Sequence, residues 1–118
     1  MKNVTPNFEK IEFKKFLGEN PKRIHEDGNR FKGNVKKQGP LISIITVSKN
    51  SSKFIQETID SIKNQTYQNI EYIIVDGAST DGTIEIIKKN IDFIDYFVSE
   101  PDLGNYDAIN KAISLCTG

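Results

Sequence analysis

The chain has 118 residues, and its 16 Lys and Arg are cancelled by 16 Asp and Glu. That length suits one small domain or part of a larger one, while the lone Cys116 excludes an internal disulfide framework and a Cys-rich metal site. No apolar run approaches the ~18 residues of a membrane span, and the N-terminus lacks the apolar stretch of a secretory signal, so a cytoplasmic location is expected.

The neutrality conceals a division near residue 40. Residues 1–40 carry a net charge of +5 and residues 41–118 a net of −5, and apolar residues rise from 10 of 40 to 33 of 78 across the same border. The first part, with Pro6, Pro21, Pro40 and scattered lysines, reads as a basic N-terminal extension with little core of its own, packed loosely on the domain. A short helix is predicted over 8–17, where Phe13, Phe16 and Leu17 share a face. The basic residues beside Phe8, Ile11, Phe13 and Phe16 also suit peripheral contact with an anionic membrane surface. His25 reads as an exposed polar residue, and a single His argues against a His-based zinc site.

From Leu41 the pattern becomes regular. Leu41 to Val47 is a β-branched run that predicts a buried strand. A polar loop over 48–52 follows, with Ser51 or Ser52 as cap of a helix that runs to about Asn64 and buries Ile55, Ile59 and Ile62. Ile70 to Val75 is the second strand, closed by Asp76-Gly77. Asp81 or Ser79 then caps a second helix with Ile84, Ile87 and Ile91 inward. Tyr96 to Ser99 is the third strand. After a Pro/Gly loop, Tyr106, Ile109, Ala112, Ile113 and Cys116 lie along one side of a third helix.

Strand and helix alternate three times, and the strands are apolar on both faces. The expected fold is therefore α/β, an open and mostly parallel sheet with flanking helices. Right-handed crossovers bring the loops 48–52, 76–81 and 99–105 to the carboxyl edge, where such sheets bind ligands. No Gly-x-Gly-x-x-Gly follows the first strand and no P-loop occurs, which argues against the common dinucleotide and triphosphate sites. The densest polar cluster runs from Asp76 to Thr83. Asp76, at a strand end where capping does not need it, favours a ligand's base or ribose; Gly77 lets a ligand approach the backbone; Asp81 favours the cap. A second cluster, Glu100 to Asp107, reads equally as a ligand loop or as a solvated acidic turn, with Asn110 able to pair with Asp107 and Lys111 either exposed or reaching a phosphate.

Four ordered stretches, Ile42 to Asn50, Ser61 to Tyr67, Glu71 to Thr83 and Ser99 to Lys111, resemble in order and spacing the N-terminal half of family-2 glycosyltransferases. The resemblance covers roughly residues 41–118 and implies a GT-A, Rossmann-like half that holds a nucleotide-sugar donor, often a UDP-sugar. It implies nucleotide-binding roles for Val47, Ser48, Asn50, Asp76, Gly77, Ser79, Asp102, Gly104 and Asn110. The acceptor would be a glycan or lipid-linked sugar in polysaccharide building, with no nucleic acid involved. The common family pattern is Asp-Asp-Gly-Ser where this chain has Asp76-Gly77-Ala78-Ser79, so one carboxylate is missing, and Lys49 replaces a frequent Tyr. The family's Asp-x-Asp metal motif and catalytic base fall beyond Gly118. The divalent metal, Mg²⁺ or Mn²⁺, thus finds no ligand here, no residue is a candidate catalytic base, and the chain by itself is expected to be inactive. A non-catalytic nucleotide-binding or regulatory domain that keeps only this half is the alternative.

Overall fold

The structure, a computed structural model, describes residues 16–32 and 40–117. The helix expected over 8–17 lies, apart from its last two residues, outside the described residues, as do Phe8, Ile11 and Phe13. The elements in order are β1 (His25–Asp27), β2 (Ile42–Ser48), α1 (Ile55–Lys63), β3 (Ile70–Asp76), α2 (Thr83–Lys89), β4 (Tyr96–Ser99) and α3 (Asn105–Ser114), with short 3-10 turns at Asn29–Lys32 and Ile91–Phe93.

One sheet has the order β1-β4-β3-β2. β2, β3 and β4 run parallel, and β1 joins the edge antiparallel to β4. All seven residues of β3 are buried, because its two faces are covered by different layers. Tyr72 and Ile74 pack with Ile55, Ile59, Ile84, Ile87, Ile94 and Phe97, the core shared with α1 and α2. Ile73 and Val75 point the other way, onto Tyr96, Val98, Ala108, Ala112 and Leu115. This alternation across a strand is why an unbroken apolar run was required.

Three local expectations change. α1 has no side-chain cap; instead the Ser51 carbonyl accepts from the Phe54 and Ile55 amides, both at 2.9 Å. α2 stops at Lys89, so Ile91 starts a 3-10 turn, still partly buried against the first core. The inward face of α3 is Ala108, Ala112 and Leu115, while Tyr106 is 87% exposed. Small residues at 108 and 112 let the helix approach the sheet closely, which outweighs the larger apolar side chains next to them.

Residues 16–32, the described part of the N-terminal extension, are also not loosely laid on. His25, Glu26 and Asp27 pair with Ser99, Val98 and Phe97. Arg23 Nε donates to Glu100 Oε1 at 2.6 Å, and Arg30 Nη2 to Glu71 Oε2 at 3.1 Å, with all four side chains largely buried. Phe16 stacks on Phe31 and Tyr96, with ring centroids 4.8 and 5.9 Å apart. Charge pairing and aromatic contacts, rather than aliphatic burial, bring these residues into the fold. His25 is accordingly not exposed: its ring lies 5.3 Å from that of Phe97, and Nε2 is buried without a hydrogen-bond partner.

Candidate nucleotide site at the carboxyl edge

The strand register places Ser48, Asp76 and Ser99 side by side at the ends of β2, β3 and β4. Asp76 is fully buried. Its Oδ1 accepts from Ser48 Oγ at 2.7 Å and Ser79 Oγ at 2.6 Å; its Oδ2 accepts from the Ser79 amide at 2.9 Å and Ser99 Oγ at 2.8 Å. An ionised carboxylate offers about four lone-pair sites, and here all are occupied. Asp76, expected to face a ligand, instead ties three strand-end loops together from beneath.

The loops are stitched further by backbone amides that have no helix or strand partner. The Asn50 amide donates to Ser79 Oγ at 2.7 Å, and Asn50 Oδ1 accepts from the Thr80 amide at 2.8 Å. The Ser51 amide reaches Thr83 Oγ1 at 2.8 Å and the Ser52 amide reaches Asp81 Oδ2 at 3.1 Å. Asp81 also takes the Thr83 amide at 3.1 Å, but the N-cap of α2 is Gly82, without a side-chain cap bond, so neither Asp81 nor Ser79 takes the expected cap position; Ser79 is committed to Asp76. The Thr83 hydroxyl, then the Ser52 and Thr83 amides, hold the exposed Asp81 carboxyl down to about 2. Asn50 (φ 50°) and Ala78 (φ 60°) both adopt left-handed backbone. Asn tolerates that conformation; for Ala78 it is a local cost carried by the surrounding bonds.

Gly77 is buried at this edge, under the neighbouring loop. A Cβ built on it would stand 2.7 Å from Asp102 Oδ2, so the Asp102 carboxylate lies directly over the Gly77 backbone. Asp102 is itself oriented by the Gly104 amide, which donates to Oδ1 at 2.9 Å; Gly104 (φ 115°) then leads into α3. Asp107 does not pair with Asn110. Its Oδ2 accepts from the Leu103 amide at 3.0 Å and lies 3.4 Å from Lys111 Nζ. Lys111 Nζ sits 2.9 Å from Glu100 Oε2 and donates to the Pro101 carbonyl at 3.3 Å, so it is engaged within the loop. Burial pushes the Glu100 carboxyl up, but Lys111 and Arg23 together outweigh it and hold it below the usual range.

Of the residues expected at the site, Ser48, Asn50, Asp76, Gly77, Ser79, Asp102 and Gly104 are brought together by the three loops. Val47 packs partly against the α3-side core, and Asn110 is exposed on α3. Ser99 and Thr83 lie within the quoted stretches but were not among the residues expected at the site; strand register could have found Ser99, since it lies level with Asp76. Among the described residues no group of three or more His, Cys, Asp or Glu is arranged to hold a metal. The described residues therefore do not by themselves form a site for Mg²⁺ or Mn²⁺. No described helix is long and apolar enough to cross a membrane.

A three-layer α/β sheet whose strand-end loops form one hydrogen-bonded unit at the carboxyl edge belongs to the Rossmann-like class of folds. Residues 43–118 match the sequence model described as "Glycosyl transferase family 2". The chain is 38% identical over 80 residues to an uncharacterized glycosyltransferase of Mycobacterium tuberculosis, a match over 67% of this chain and 30% of the relative. It is 35% identical over 86 residues to the chondroitin synthase of Escherichia coli, over 70% of this chain and 12% of that one. Among solved structures it resembles the mannosyltransferase PcManGT from Pyrobaculum calidifontis in complex with GDP-Man and Mn²⁺. That likeness has a TM-score of 0.60 and 27% identity, covering 76% of this chain and 30% of the neighbour. The chain belongs to glycosyl transferase family 2 and has its GT-A fold. It spans less than a third of the length of these relatives.

Proposed function

We propose that residues 41–118 are the donor-binding half of a sugar-transferring enzyme, with residues 1–40 as its basic extension. The enzyme moves a sugar from a nucleotide-sugar, a UDP-sugar by the family resemblance, to a glycan or lipid-linked acceptor with inversion, in polysaccharide building. The carrying observation is the carboxyl edge: Asp76 locks the loops of β2, β3 and β4 into one surface, and the Asp102 carboxylate stands at that surface over the buried Gly77. A carboxylate at this point accepts a base N–H or ribose hydroxyls. The neighbour's GDP-Man supports a nucleotide-sugar as the donor class, and its Mn²⁺ supports a divalent metal on the complete protein. Such a metal would neutralise the departing diphosphate. Peripheral contact with the inner face of a membrane, through the basic extension, belongs to the same proposal.

In this reading Asp76, Ser48, Ser79 and Ser99 build the floor together with Gly77, Asn50 lines one side, and Asp102 and Gly104 close the other. The test is calorimetric titration of UDP and GDP into the protein that carries this chain. UDP is expected to bind, more tightly than GDP, and Asp102→Ala is expected to weaken it about tenfold. Failure of both nucleotides to bind overturns the proposal; tighter GDP binding overturns the choice of UDP.

A further inference from the structure

We propose that Arg23, which precedes the family-matched residues, is a positioning residue that braces the 99–107 loop of the donor site from the sheet edge. The geometry forms one continuous relay. Arg23 Nη2 donates to the Gly18 carbonyl at 2.6 Å and Nη1 to Glu26 Oε1 at 3.1 Å, which orients the guanidinium; Nε then donates to Glu100 Oε1 at 2.6 Å. The other oxygen of Glu100 takes Lys111, and Lys111 reaches both the Pro101 carbonyl and Asp107. Asp107 receives the Leu103 amide at the loop tip. The same edge is pinned once more by backbone, since the Ile24 amide donates to the Ser99 carbonyl at 2.7 Å, and Ser99 is the residue that reaches Asp76.

Burial makes the relay consequential. The Glu100 side chain is only 4% exposed and that of Arg23 only 13%. A carboxylate so far from water is tolerated only with its charge partners in place. Without Arg23, Glu100 keeps Lys111 and a hydrogen bond from Asn20, and Lys111 is also what holds Asp107 and the Pro101 carbonyl. Arg is suited to the post because its rigid fork makes three bonds in different directions at once; a Lys keeps the charge and loses the fork. The chain thus uses residues outside the matched region to set a loop inside it.

The functional readout of this inference rests on the proposed donor site, and the structural readout does not. Arg23→Ala, Arg23→Lys and Arg30→Ala are compared in the protein that carries this chain. Arg30→Ala is the control, because it breaks a similarly buried pair, with Glu71, at the opposite end of β3. Arg23→Ala is expected to speed hydrogen exchange of the Leu103 amide about tenfold and to raise donor KM about tenfold, with kcat within about twofold. Arg23→Lys recovers a good part of both, and Arg30→Ala lowers stability while leaving both within about twofold. Unchanged exchange in Arg23→Ala, or the same acceleration in Arg30→Ala, overturns the proposal. If the unsubstituted protein shows no donor saturation, the donor reading fails, and Leu103 exchange still decides whether Arg23 braces the loop.

Discussion

The Asp102 carboxylate occupies the space that a side chain on Gly77 would fill, 2.7 Å from the Cβ position. The two residues come from different loops, after β4 and after β3. Position 77 carries no carboxylate of its own, and the neighbouring loop delivers one beside it.

It follows that Gly77 and Asp102 are coupled. Gly77 does not have a positive φ, so the obstacle to a larger residue is space rather than backbone strain. Gly77→Ala displaces the end of a short side chain that the Gly104 amide also holds. We expect folding stability to change by about 0.5 kcal/mol or less, and nucleotide affinity to fall severalfold. Asp102→Ala made in the Gly77→Ala background should then cost little more. A calorimetric double-mutant cycle checks this; the two losses should fall short of additivity by about 1 kcal/mol.

Asp76 and its hydroxyl partners are expected to act on stability first and on binding second. Asp76→Ala removes an acceptor from four donors at once, in a fully buried place. The cost should be about 3 kcal/mol, since unsatisfied buried groups are each worth about 1–3 kcal/mol and the serine hydroxyls can partly re-aim. Ser99→Ala deletes one bond and should cost about 1 kcal/mol. Urea titration followed by circular dichroism measures both, and nucleotide affinity should decline in the same order. Equal stability of Asp76→Ala and the parent chain would show that the carboxylate is not the keystone of the edge.

Much of the fold was legible because β2 and β3 are rich in β-branched apolar residues and β4 is a short aromatic and apolar run. β3 and β4 are buried throughout, whereas β2, expected to be a buried strand, is the sheet's edge strand and mostly half-buried, with Ile42 47% exposed. β1 was not legible. His25-Glu26-Asp27 is three residues of polar sequence, and what recruits it is the charge of Glu100 some seventy residues away. The inward turn of Asp76 was hidden for a related reason: its donors Ser48 and Ser99 belong to adjacent strands and converge only through register. Motif spacing marked Asp76 as important and could not tell a ligand contact from a keystone. Asn110 was placed at the site by its motif, yet lies on the exposed side of α3.

The face of α3 shows the same limit and can be tested directly. Periodicity pointed to Tyr106, Ile109, Ala112, Ile113 and Cys116; of these Ala112 is fully buried, while Tyr106 is exposed and the face is completed by Leu115 and by Ala108 at 2% exposure. Ala112→Leu forces extra volume between α3 and the sheet and should cost about 1–3 kcal/mol. Tyr106→Ser alters a side chain that is 87% exposed, and should stay within about 0.5 kcal/mol. Thermal or urea unfolding of the two variants separates these outcomes, and a reversal of their order would assign the other face to the core.

His25 gives the chain a pH dependence that a single substitution can isolate, because it is the only histidine. Burial, and then the charge of Lys88, lower its affinity for a proton, against a smaller opposing pull from Asp27. The folded protein therefore binds that proton less readily than the unfolded chain, whose imidazole titrates near its ordinary value of about 6.5. Where the unfolded state holds more protons, stability rises with pH. The neutral ring's contribution is thus fully present above about pH 6.5 and is lost as pH falls from there through the depressed folded value. β1 should loosen from β4 in that window, because the charged ring would be held against Phe97 with no partner for Nε2. Urea midpoints measured from pH 8 down to about 5 should decline for the parent chain, and His25→Gln should flatten the decline above about pH 5, where carboxylates begin to titrate. An unchanged slope in His25→Gln would place the source of the pH dependence elsewhere.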